Sequence, residues 1–96
     1  MGANKEDVQL SSVSDEQNRC IDILTEELPI LRARLHISQA ELARGVGISR
    51  QTYSLIETKK QRMTWVSYMA MIAFFGGYTK TRKELISLGL IDDVGK

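Results

Sequence analysis

The segment from Ser38 to Ile56 constrains the fold of this chain most tightly. Ser38 with Glu41 three residues on has the form of a capping box, in which side chain and backbone satisfy each other's free groups. Gly47 suits the left-handed turn that ends a helix. Ser49 can cap the next helix. These signals predict a short helix over 39–46, a tight turn at Gly47, and a second short helix running to about Ile56. Leu42 and Val46 share one face of the first, Tyr53 and Ile56 one face of the second, and Ile48 sits in the turn. Ala43 is small enough for the two helices to cross closely at a steep angle.

The flanks also read as helical. Ser14 and Gln17 form another capping-box pattern, and Ile21, Leu24, Leu28, Leu31 and Leu35 then step by three and four. Pro29 interrupts this stripe. It removes one hydrogen bond and clashes with the carbonyl four residues back. The helix either kinks near Thr25 or stops, with a new helix carrying Pro29 in its first turn; the break is the preferred expectation. Downstream, Thr64 can cap a helix over 65–75 that is apolar nearly all round, a type usually buried. Gly76 and Gly77 stop it, and Thr79 can cap a fifth helix through Leu88, closed by Gly89. No stretch alternates with period two, so an all-α fold is expected. The expected organisation is a mobile tail over 1–13, an acidic helical segment over 14–27, a helical domain over 28–90 and a loose end over 91–96.

Charge is unevenly placed. The 96 residues carry a net charge of +1, yet residues 28–83 hold ten Lys or Arg against only Glu41 and Glu57. The ends are acidic. A basic middle of this kind suits a segment that meets a polyanion. No apolar run approaches the ~18 residues needed to span a bilayer, and no secretory leader is evident. Cys20 is the one cysteine and can neither staple a monomer nor build a zinc site alone. A cytoplasmic protein with no membrane partner is expected.

The outward face of the second short helix has the chemistry to read bases. Arg50, Gln51, Ser54 and Leu55 lie there, with Ser49 and Thr52 near its start, where the helix dipole favours an anion. A helix fits the ~12 Å major groove, where Gln can pair with an adenine edge and Arg with a guanine edge, each worth ~1–3 kcal/mol of discrimination. Leu55 could pack on a thymine methyl. Lys59, Lys60 and Arg62 follow and can neutralise phosphates, which carry affinity but not sequence information.

Residues 28–75 resemble the lambda-repressor and Cro type of helix-turn-helix domain, the Xre family, through SQAELA and GISRQTY…IE at the family's spacing. The resemblance implies a five-helix bundle, here with room for an extra N-terminal helix, and sequence-specific binding to double-stranded DNA. Arg50, Gln51 and Leu55 occupy the positions that usually face bases; Thr52 and Ser54 join them. Gln39 would contact a phosphate and brace the recognition helix. Thr58, Lys60 and Arg62 occupy the loop that usually grips the backbone, and Ser38 and Ser49 complete the phosphate set. Arg32 and Glu57 match an inter-helix ion pair. The sequence departs from the family where Asn-Gly-Lys commonly follows the recognition helix: here it is Thr58-Lys59-Lys60, without the glycine.

Blander roles suit other residues. Tyr53 is expected in the core, Trp65 in the bundle rather than at a dimer contact, and Met63, Met69 and Met71 in packing. His36 reads as a turn residue and Cys20 as a partly buried thiol. No constellation points to an enzyme, a metal or a cofactor. The leading expectation is a transcriptional regulator, a repressor acting as a homodimer. An antitoxin, capturing a protein through its acidic N-terminal segment, and a pure protein-interaction module remain open.

Overall fold

The structure is a computed structural model that describes residues 14–93. The tail expected over 1–13 and the second half of the loose end over 91–96 lie outside these residues. Five helices make up the described part: α1 (Asp15–Leu35), α2 (Gln39–Val46), α3 (Arg50–Glu57), α4 (Trp65–Gly76) and α5 (Thr79–Ser87). No strand occurs among the described residues, and none of their helices is long and apolar enough to cross a membrane.

α1 corrects the expectation of a break at Pro29. It is one helix of 21 residues with the proline inside, so among the described residues the acidic segment and the stretch after Pro29 are not separate helices. Energy decides this. Ile21 and Leu24 lie before the proline, Leu28 and Leu31 after it, and all four are buried. Each burial contributes ~1.5–3 kcal/mol, against ~3 kcal/mol for an interior proline. Pro29 also sits on the exposed side of the helix, where its ring meets no core side chain. The helix therefore runs through the boundary expected at residues 27 and 28. Both halves feed one core, formed with Leu42, Ala43, Tyr53, Ile56, Met63, Tyr68, Met71, Phe75 and Leu85.

The caps follow local chemistry. Ser14 with Gln17 and Ser38 with Glu41 both form complete capping boxes, while Ser49 and Thr64 accept from the amides of Thr52 and Ser67. Gly47 closes α2 in the left-handed region, at φ 84°. Thr79 is a correction: it is the first residue of α5, and Tyr78 precedes it without a side-chain cap. Gly76 stays helical, so α4 ends one residue later than expected. The fully buried Thr81 donates its hydroxyl to the Phe75 carbonyl, 2.6 Å away, and ties α5 to the end of α4.

α4 is also less enclosed than its apolar sequence suggested. Tyr68, Met71 and Phe75 are buried, but Val66 is 72% and Met69 49% exposed. Met63 and Met71 pack in the core; Met69 does not. α4 leans on α1, α2 and α5, and three neighbours leave one side uncovered. Trp65 is half-buried against the core and stacks on Tyr68 with ring centroids 4.5 Å apart.

Candidate nucleic-acid interface

α2 and α3 pack on each other through Leu42, Ala43, Tyr53 and Ile56, all buried. A second close approach lies behind them. Gly45 faces Phe74 of α4, and a Cβ added there would stand 2.5 Å from the ring. With Tyr53 and Ile56 turned inward, the helical period turns Arg50, Gln51, Ser54 and Leu55 outward. Arg50 and Gln51 are exposed; Thr52, Ser54 and Leu55 are half-exposed. All five residues expected to reach bases are thus on or beside one accessible surface.

Glu57 anchors this helix from behind. The Arg32 guanidinium meets it in a fork, Nε to Oε2 at 3.0 Å and Nη2 to Oε1 at 3.2 Å. Arg32 Nη1 also donates to the Ile37 carbonyl at 3.1 Å. The Tyr53 hydroxyl donates to Glu57 Oε2 at 2.9 Å, and the Gln39 amide donates to Oε1. Three side chains, one each from α1, α2 and α3, therefore meet at the Glu57 carboxylate. Burial pushes the Glu57 pKa up, but hydrogen bonds from Arg32, Gln39 and Tyr53 and the Arg32 charge outweigh it, leaving the pKa below its ordinary value. Burial, followed by the hydrogen bond to Glu57, raises the Tyr53 pKa. Tyr53 thus stays a neutral donor across the physiological range. Bidentate geometry orients as well as attracts, so the network sets where α3 points.

The residues expected to hold phosphates separate into free and engaged groups. The Lys60 ammonium has no ion pair among the described residues. Gln39 spends one amide proton on Glu57 and keeps the other. Ser38 accepts from the Glu41 amide, and its own proton is uncommitted. Ser49 accepts from the Thr52 amide and donates to the Thr52 hydroxyl at 2.9 Å. Thr58 donates its hydroxyl to the Ser54 carbonyl at 2.8 Å. Ser49 and Thr58 consequently have no spare hydroxyl proton for a phosphate in this arrangement. Arg62 is held by α1: Nη1 lies 2.8 Å from Asp22 Oδ1, and Nη2 lies 2.7 Å from Asn18 Oδ1. Lys59 pairs with Glu26.

The missing glycine after α3 is replaced by strain. Lys59 takes φ 67°, where a glycine would be free of the Cβ penalty. The turn itself is intact: the Lys59 amide bonds the Ile56 carbonyl and the Lys60 amide the Leu55 carbonyl, the pairing of a Schellman motif. His36 does the same after α1, at φ 56°.

Comparison with known proteins agrees with this geometry. Residues 30–64, about a third of the chain, match the family model described as Helix-turn-helix. The match begins in the second half of α1, covers α2 and α3, and ends before α4. No curated protein and no solved structure matches the chain. The matched family supports a sequence-specific DNA-binding transcription regulator in general terms. Over residues 30–64, from the second half of α1 through α3 and the loop after it, the chain is similar to helix-turn-helix domains of the Xre and lambda-repressor type.

Proposed function

We propose that the protein binds duplex DNA with α3 in the major groove and acts in the cytoplasm as a repressor, by occupying a promoter. The observation that carries this reading is the exposed Arg50 and Gln51 surface on a helix whose orientation is fixed by the Glu57 network. Arg50 and Gln51 supply the base-edge hydrogen bonds, with Thr52, Ser54 and Leu55 beside them. Lys60, Gln39 and Ser38 supply phosphate contacts. A single module of this kind buries only ~600–1,000 Å² on DNA, so tight binding calls for two copies on an inverted repeat, with half-sites ~34 Å apart. Capture of a protein by the acidic segment is less favoured, because Ile21 and Leu24, its apolar side, are committed to the chain's own core.

The test is selection from a randomised duplex library at two salt concentrations. Enrichment of an inverted repeat supports a specific, dimeric reader. Absence of enrichment, with no salt-sensitive binding even at low salt, rules the reading out.

A further inference from the structure

The acidic half of α1 is packed beside the loop that follows α3. Asn18, Asp22 and Glu26 stand one helical turn apart, flanking the buried stripe of Ile21, Leu24 and Leu28. Each of the three reaches the loop. Asn18 and Asp22 hold Arg62, and Glu26 holds Lys59. The Asn18 backbone carbonyl adds a further contact to Arg62 at 3.2 Å. Asp22, Glu26, Lys59 and Arg62 line one shallow cleft together with Thr25 and Lys60.

We propose that this ladder is an intramolecular competitor for DNA phosphate, occupying two of the three loop cations in the free protein. The proposal rests on the DNA-binding reading above. Position supports it: Lys59, Lys60 and Arg62 directly follow the C-terminus of α3, where a duplex lying against that helix presents its backbone. Chemistry supports it too. The carboxylate of Asp22 and the amide oxygen of Asn18 offer Arg62 two acceptors at charge-assisted distances, as a phosphate does. Stability does not explain the pairs. Their side chains are exposed by 50–67%, and ion pairs that open to water contribute little to folding. Their larger effect is on the loop's field. Asp22 and Glu26 leave Lys59, Lys60 and Arg62 with a local charge of +1 in place of +3. When DNA arrives, each cation must exchange a carboxylate for a phosphate, and two anions are left facing the duplex. Lys60, which has no such partner, makes its contact without exchange.

The experiment compares duplex binding by the full chain and by the Asp22→Asn/Glu26→Gln variant between 50 and 200 mM salt. Freeing two cations should steepen the salt slope by about two, so the variant should gain roughly tenfold more over the parent at 50 mM than at 200 mM. Adding Lys59→Gln/Arg62→Gln to that variant should return the slope to that of the parent, because only Lys60 is then left charged. A folded variant that binds equally or more weakly, with an unchanged slope, overturns the proposal while leaving the DNA reading intact. Should the double variant not fold, Asp22→Asn alone decides: it should steepen the slope by about one, and an unchanged slope overturns the proposal. If neither parent nor variant binds any duplex at 50 mM salt, the DNA reading and the proposal fail together.

Discussion

At the residue scale, Glu57 and Gln51 have separable jobs. Glu57 is buried among Arg32, Gln39 and Tyr53, so removing its carboxylate leaves the Arg32 charge half-buried without a partner. Glu57→Ala is expected to cost on the order of 3 kcal/mol, measured by denaturant unfolding. The pH dependence has a definite sign. The folded pKa of Glu57 lies below its ordinary 4.5, so the carboxylate's contribution is complete above that value. It is lost as the pH falls through the depressed folded value. Acid unfolding of Glu57→Ala should consequently be less steep than that of the parent over that window. At the proposed DNA surface, Gln51→Ala should relax preference at one base position. Lys60→Ala should weaken all sequences alike and lower the salt slope by about one. Binding to a panel of single-base operator variants checks both; a uniform loss from Gln51→Ala would remove it from base reading.

At the element scale, most helix limits were legible because capping chemistry is local. Ser14, Ser38, Ser49 and Thr64 each sit within three residues of the amide they satisfy. Pro29 and Thr79 were misread for the complementary reason. Whether α1 tolerates its proline depends on what Ile21 and Leu24 gain by burial, and those partners lie far along the chain. Thr79 lost the capping position because Gly76 stayed helical and Thr81 took the Phe75 carbonyl. Gly45 was passed over too: only packing against Phe74 reveals that a side chain there would collide. The left-handed His36 between α1 and α2 gives a clean test. His36→Gly should raise stability by about 1 kcal/mol, since glycine occupies that region without a Cβ clash. Thermal unfolding checks it; a lower melting temperature would mean the imidazole has a role that its turn geometry does not require.

At the scale of the whole molecule, one core draws on all five helices, and the acidic and basic segments are halves of one surface. The side of α4 that carries Val66 and Met69 is left exposed by the other helices; the proposed paired reader needs a second copy. Sedimentation at micromolar concentration, with and without an inverted-repeat duplex, should show a dimer at least on DNA. Monomer in both conditions would refute the paired reader.

The sequence by itself determined the helical class, the helix-turn-helix at 39–56 and the residues of its outward face. Each depends on periodicity, capping and turn chemistry within a few positions. Arg32 with Glu57 was legible only through family resemblance, since 25 residues separate them. Tertiary structure alone decided that α1 is continuous, that Tyr53 joins the Glu57 network, and that Thr58, Ser49 and Arg62 are already engaged. Hydrogen-bond partners and ion pairs across helices depend on how the stripes of several helices settle around one core, and no local pattern encodes that settlement.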